Sequence, residues 1–214
     1  PVTGLDTTAR TLVTGGETVR YDELLIATGS QPRHLAMADE SGADVVYLRT
    51  LEDSARVARH LTGSVVIVGA GWIGLEVAAA VREAGGRVTV VEMLPWPLHN
   101  VLGDEVAPMF AALHRAHGVD LRLGASVAAI SHEGGRTSVR LGDGDVLHPD
   151  MVLVGIGAAA DDALAAQAGV PTDRGVLADA RLATAVPHVF AAGDVAVHAH
   201  PVYGRLRAEH WDTA

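Results

Sequence analysis

The chain of 214 residues contains no cysteine and no lysine, and only eight of its residues are aromatic. Without cysteine it offers no thiolate nucleophile, no disulfide relay, no thiolate zinc site and no iron–sulfur cluster of its own. Any redox chemistry must then come from a bound organic cofactor or from a metal held by other ligands. All 16 bases are arginines, spread thinly through a chain whose 26 acids give it a formal charge of −10. Phosphate neutralisation needs clustered positive charge, so no nucleic-acid partner is expected. No charge-free apolar run reaches the roughly 18 residues of a membrane span, and Pro1-Val2-Thr3 lacks the charged and apolar regions of a signal peptide. The expectation is a soluble, cytoplasmic protein with no membrane partner. What the chain does have is apolar mass: 49 % hydrophobic residues, 24 glycines and a mean hydropathy of +0.24. That describes a folded chain long enough for one domain or two small ones.

The apolar run Leu24-Leu25-Ile26-Ala27 stops at Thr28-Gly29-Ser30-Gln31-Pro32-Arg33 and reads as a buried strand entering a glycine turn. A weak helix over 51–61 precedes Ser64-Val65-Val66-Ile67-Val68, a short β-branched strand buried on both faces. Ile73, Val77, Ala80, Val81 and Ala84 then recur at helical spacing, closed by Gly85-Gly86. Residues 87–92 form a second strand. Asp104 is placed as the N-cap of a further helix with Val106, Met109, Phe110, Leu113 and His117 on its buried face. Strands follow at 119–123 and 151–156, with glycine-broken hairpins between them over 126–147. Residues 64–156 thus read as a β-α-β-α-β unit with a hairpin crossover and a closing strand. After it come a short alanine-rich helix, two strand candidates near 175–183 and the buried run Val189-Phe190-Ala191-Ala192, ending in Gly193-Asp194. Neither 1–38 nor 159–214 can cover its own apolar faces, so the two are expected to pack together.

Gly69-Ala70-Gly71-Trp72-Ile73-Gly74 sits between the first strand and the first helix of that unit. Gly69 allows a tight turn, Gly71 lets the backbone approach a pyrophosphate, and Gly74 lets helix and strand pack closely. The helix N-terminus then presents free N–H groups to the phosphates. Glu92, at the end of the second strand, lies where a carboxylate receives both adenosine ribose hydroxyls and repels a 2′-phosphate. Residues 93–98 contain no arginine to welcome one, so NAD is expected over NADP. Trp72 is placed either across the cofactor channel or against the sheet edge. Glu76, in the first turns of the helix, stands near the cofactor or serves the helix dipole.

Four separated motifs agree: Leu25 to Arg33, the glycine turn with Glu76, Val152 to Gly157, and Val189 to Asp194. Together they resemble the two-dinucleotide flavoproteins related to glutathione reductase. The resemblance implies an α/β fold: a Rossmann-like NAD-binding domain with a parallel sheet and β-hairpin crossover, at 39–158, flanked by two pieces of an FAD-binding domain, 1–38 and 159–214. Tyr47 to Asp53 and Glu209 to Ala214 are most similar to the ferredoxin and rubredoxin reductases of bacterial oxygenase systems. By resemblance, Ala27, Thr28 and Gly29 pass the FAD, Arg49 approaches the flavin nucleotide, Asp194 bonds the ribityl chain and Trp211 lies beside the isoalloxazine ring. Trp72 covers the nicotinamide pocket, Glu76 lies near the carboxamide, and Ile156 and Gly157 line the same pocket.

The function so implied is transfer of electrons from NADH through FAD to a ferredoxin- or rubredoxin-type iron–sulfur protein. Hydride passes from nicotinamide C4 to flavin N5 without an acid–base residue, and flavin releases electrons singly. The family's first glycine-rich turn has no counterpart before Gly69, so the chain is expected to be a fragment with a partial FAD site and little catalysis of its own. Other readings are an NADH oxidase or nitrite-reductase type of flavoprotein, or an NAD-binding module without turnover. The sequence does not set the oligomeric state. His114 and His117 have no third ligand within reach in sequence, His198 and His200 read as a solvated loop after Asp194, and no metal is expected. An acidic redoxin would dock on local arginines such as Arg205 and Arg207.

Overall fold

The computed structural model describes residues 1–209. In chain order its elements are β1 (Val2–Asp6), β2 (Thr11–Thr14), β3 (Glu17–Arg20), β4 (Leu24–Ile26), β5 (Ser30–Pro32), α1 (Ala36–Asp39), β6 (Val45–Val46), α2 (Leu51–His60), β7 (Ser64–Val68), α3 (Trp72–Glu83), β8 (Arg87–Glu92) and α4 (His99–Ala116). They continue with β9 (Asp120–Leu123), β10 (Val127–Glu133), β11 (Arg136–Leu141), β12 (Val146–Leu147), β13 (Met151–Val154), β14 (Ala158–Ala160), α5 (Ala163–Gln167), β15 (Val176–Ala178), β16 (Val189–Ala191), β17 (Ala196–His200) and β18 (Gly204–Leu206). The chain divides into two compact units, one of residues 32–157 and one of residues 1–31 with 158–214.

The unit of residues 32–157 is built on a five-stranded sheet in the order β6-β13-β7-β8-β9. Every pairing in it is parallel. Its central strands bury alternate side chains on opposite faces, as the two-residue period of a strand requires. Val65, Ile67, Met151 and Leu153 join Leu75, Ala78 and Val81 of α3 in one cluster, while Val66, Val68, Val152 and Val154 join Ile130, Val139 and Leu141 of the antiparallel β10-β11-β12 sheet in another. Helix α2 starts from a capping box in which the Thr50 hydroxyl accepts from Asp53 N–H at 3.2 Å and the Asp53 carboxylate accepts from Thr50 N–H at 2.9 Å.

Helix α4 departs from the sequence reading. It opens at His99 behind a left-handed Leu98 (φ 54°), and Asp104 instead follows a break at Gly103 (φ 65°). Its buried residues are Ala107 and Ala111, and Phe110 packs half-buried against the core as expected, while Val106, Met109 and Leu113 are exposed. His117 is exposed as well, its Nδ1 lying 2.9 Å from the Leu113 carbonyl. The stripe of large residues was the stronger hydrophobic signal, but small alanines let the helix backbone approach the sheet.

The second unit, described by itself, contains the meander β1-β2-β3, the parallel pair β16-β4, the pair β14-β5 and the sheet β15-β17-β18. The meander was not anticipated, because its threonines, glycines and arginines stay exposed or half-buried and carry no apolar alternation. Strand β4 buries only Ile26, Leu25 being 59 % exposed. The region near 175–183 supplies one strand, β15, and isolated bridges at Ala183 and Thr184. His198 and His200 lie on β17 rather than in a loop, since β17 pairs with β15 on one side and β18 on the other. The core of this unit gathers Ile26, Ala165, Val170, Val176, Val189, Ala191 and Val195.

Candidate functional site

The strand order places a topological switch point between β7 and β13, because the chain winds outward from β7 through β8 to β9 and returns on the other side of β7 to form β13. In open parallel sheets ligands bind outside the carboxyl ends of the strands at such a point. A cleft of about 590 Å³ opens there, lined by Gly69 to Trp72 after β7, by the 91–94 segment at the end of β8, and by Gly155 to Gly157 after β13.

The three glycines of the turn meet different surroundings. Gly69 has φ +102°, and a Cβ there would lie 2.4 Å from the Gly155 carbonyl oxygen, so the two loops touch backbone to backbone. A Cβ on Gly74 would lie 2.3 Å from the Gly69 carbonyl oxygen and 3.2 Å from Ile67 Cγ2, which records the close seat of α3 on β7. Gly71 is different. Its φ is −77° and a Cβ would meet nothing nearer than the Gly155 oxygen at 3.9 Å, so the missing side chain leaves space in the cleft itself. As N-cap of α3, Gly71 supplies no side-chain cap, and the first N–H groups of the helix remain for an anion.

Glu92 ends β8 half-buried. One carboxylate oxygen accepts from Ala70 N–H at 2.8 Å and the other from Leu94 N–H at 2.9 Å, tying the glycine turn to the loop after β8. Leu98 N–H adds a bond to the Ala70 carbonyl at 3.0 Å. A carboxylate offers about four acceptor positions, so about two remain on Glu92, which is itself a lining residue of the cleft. This bridging was invisible in the sequence, where only the spacing of Glu92 from the turn could be read.

Trp72 is 48 % exposed and packs edge-on against Phe110, with ring centroids 5.8 Å apart at 87°. It is among the residues that line the cleft. Ile156 and Gly157 line the same cleft, whereas Ile73, Gly74 and Glu76 are not among its walls, Ile73 and Glu76 being exposed on α3. Trp96, His99 and Asn100 also line it and were missed, because Pro95 and Pro97 read only as a loop. Glu92 and His99 are the titratable residues of the lining, and His99 Nδ1 stands 3.4 Å from the Asp104 carboxylate.

The other predicted residues fall into two groups. Arg49 is exposed ahead of α2 in the unit of residues 32–157, its backbone N–H donating to Asp53. Ala27, Thr28, Gly29 and Asp194 belong to the other unit. There β4 and β16 run parallel side by side, and the segments leaving their carboxyl ends are Ala27 to Gly29 and the 3-10 turn Gly193–Val195. Thr28 donates to the Asp161 carbonyl at 2.5 Å, and Asp194 accepts from the Ser30 hydroxyl at 2.9 Å. Two adjacent loops at the carboxyl ends of a parallel pair, one bearing a carboxylate, fit part of a dinucleotide site. Trp211 lies outside the described residues. Arg207 does not stand free for docking: it donates to the Asp194 carbonyl at 3.2 Å and pairs with Glu209 at 2.5 Å, while Arg205 is exposed. Among the described residues no cluster of three or more histidines and acids is placed to hold a metal ion, and no helix is long and apolar enough to cross a membrane.

The parallel sheet, the glycine turn and the cleft at the switch point define a Rossmann-like α/β fold. Residues 1–214 match the pyridine nucleotide-disulphide oxidoreductase family, and the chain belongs to it. It is 38 % identical over 209 residues to rhodocoxin reductase of Rhodococcus erythropolis, covering 96 % of this chain and 48 % of that protein. It is 36 % identical over 210 residues to the 3-phenylpropionate/cinnamic acid dioxygenase ferredoxin–NAD(+) reductase component of Photorhabdus laumondii, covering 95 % of this chain and 52 % of the relative. A crystal structure of the covalent putidaredoxin reductase–putidaredoxin complex superposes with a TM-score of 0.93 at 33 % identity, over 99 % of this chain and 53 % of that one. The chain thus spans about half the length of these relatives.

Proposed function

We propose that this chain is the nicotinamide-binding part, with portions of the flavin-binding part, of a reductase that takes electrons from NADH through FAD to a ferredoxin- or rubredoxin-type iron–sulfur protein. In this reading residues 39–158 are the NAD-binding domain and 1–38 with 159–214 belong to the FAD-binding domain. The protein works in the cytoplasm, where nicotinamide dinucleotides circulate. The observation that carries the reading is Gly71, the one glycine of the turn whose missing side chain opens space in the cleft instead of relieving a backbone contact.

The roles of the residues follow from that placement. The uncapped N–H groups at the start of α3 hold the pyrophosphate, with the partial positive charge of the helix end behind them. Glu92 directs its remaining lone pairs to the adenosine ribose and disfavours a 2′-phosphate, which finds no arginine in the cleft lining. Trp72, Ile156 and Gly157 bound the nicotinamide end and exclude water from it. On the flavin side, Asp194 and the 27–29 segment hold the ribityl chain and the phosphates beside it. Flavin supplies the conversion between two-electron and one-electron transfer when bound. The names of the relatives, which are reductases of ferredoxin and of similar redoxins, favour such an acceptor over oxygen or nitrite.

The test is NADH-dependent cytochrome c reduction by the full-length protein, with and without an added ferredoxin. Reduction that depends on the ferredoxin supports the reading. Equal rates without it, accompanied by oxygen consumption, overturn it in favour of an oxidase.

A further inference from the structure

Ser30 and Thr137 are the buried polar side chains among the described residues, and Ser30 is 3 % exposed. Its hydroxyl is turned to a carboxylate 164 residues away, donating to Asp194 Oδ2 at 2.9 Å. The Arg207 guanidinium also holds this residue by donating to its backbone carbonyl at 3.2 Å. Asp194 sits in a turn entered through Gly193 at φ +71°, so its backbone and one carboxylate oxygen are both fixed. No donor among the described residues meets Oδ1. A half-buried carboxylate held in this way presents one oxygen in a set direction, and a directed acceptor binds a hydroxyl better than a swinging one because the ordering cost has already been met by the fold.

We propose that Ser30 is a positioning residue for the flavin: it locks one oxygen of the Asp194 carboxylate and leaves Oδ1 as the acceptor that would hold a hydroxyl of the polyol chain of FAD. This rests on the flavin reading of Asp194 given above. The side-chain bond of Ser30 is to Asp194, and its effect on the flavin passes through that residue. Burial explains why a serine stands there, since a hydroxyl excluded from water needs a partner and an ionised acceptor is the strongest one available.

The experiment is FAD binding to the reconstituted full-length apoprotein, followed by quenching of flavin fluorescence, for wild type, Ser30→Ala, Ser30→Cys, Asp194→Ala and the Ser30→Ala/Asp194→Ala double variant. Cysteine fills the space that alanine leaves, with a somewhat larger sulfur, and loses the strong donor, which covers the case in which alanine leaves the site badly packed. Ser30→Ala and Ser30→Cys are expected to weaken FAD binding about tenfold, the scale of one hydrogen bond to a charged group. In the Asp194→Ala background the same change is expected to cost less than about twofold, the signature of residues acting as a unit. Wild-type affinity in Ser30→Cys, or losses that simply multiply in the double variant, overturns the proposal. Wild-type affinity in Asp194→Ala overturns the flavin reading of Asp194 itself, which separates the two failures.

Discussion

Glu92 carries two duties that its position joins. Its oxygens fasten Ala70 and Leu94, and the residue lines the cleft. Glu92→Ala therefore does more than relax a preference. It leaves two backbone donors without their acceptor and is expected to lower stability by about 1–3 kcal/mol, visible as a shift of the thermal midpoint. It is also expected to weaken NADH binding and to narrow the gap between NADH and NADPH; an unchanged ratio in a titration of both would refute the ribose role. A second residue-scale prediction concerns Tyr47, whose hydroxyl donates to Asp39 at 2.7 Å while His34 stacks on its ring. Burial, and then the bond to Asp39, push the Tyr47 phenol up to about 12 from the ordinary 10.0. The same bond, ahead of the contact with His34, holds the Asp39 carboxyl below its usual range. The tyrosine's contribution to stability is thus complete below pH 10 and lost as pH climbs toward 12, while that of Asp39 is present above the ordinary carboxylate range and lost as pH falls through its lowered value. Titration of phenolate absorbance is expected to show a step near pH 12 that Tyr47→Phe removes. Persistence of that step in the variant would assign it elsewhere.

At the scale of elements, the cap of α2 is the simplest case. Thr50 and Asp53 satisfy each other's backbone N–H groups, and Thr50→Ala is expected to cost about 1 kcal/mol in chemical denaturation, with Thr50→Ser restoring most of it. Legibility varied from element to element for physical reasons. Strand β7 and helix α3 could be read because a β-branched run and a helical stripe are both local patterns. Of the stripe expected to face inward on α4 only Phe110 packs against the core, since the buried Ala107 and Ala111 contribute little hydropathy to a sequence pattern. The meander β1-β2-β3 was missed because each of its strands has an exposed or half-buried surface and no apolar period. The bonds that shape the candidate sites, Glu92 to Ala70 and Ser30 to Asp194, join residues 22 and 164 positions apart, and no local pattern encodes them.

For the whole molecule, the arrangement that matters is the switch point of the five-stranded sheet, and its glycines separate folding from binding. A side chain at Gly69 or Gly74 collides with backbone at 2.4 Å or 2.3 Å, and Gly74→Ala is expected to lose stability by about 1–3 kcal/mol through overpacking. A Cβ at Gly71 meets only the Gly155 oxygen, at 3.9 Å, beside the cleft that Gly71 lines, and the backbone there is extended, a conformation that β-branched residues adopt freely. The decisive measurement is an NADH titration of the full-length protein and its Gly71→Val variant, followed by energy transfer from tryptophan to the nicotinamide. The account predicts that the wild type binds NADH more tightly than NADPH, and that Gly71→Val loses no more stability than the about 1 kcal/mol of a poorer N-cap but binds NADH at least about tenfold more weakly, a difference of about 1.4 kcal/mol. A Gly71→Val protein that melts like the wild type and binds NADH with undiminished affinity would contradict it.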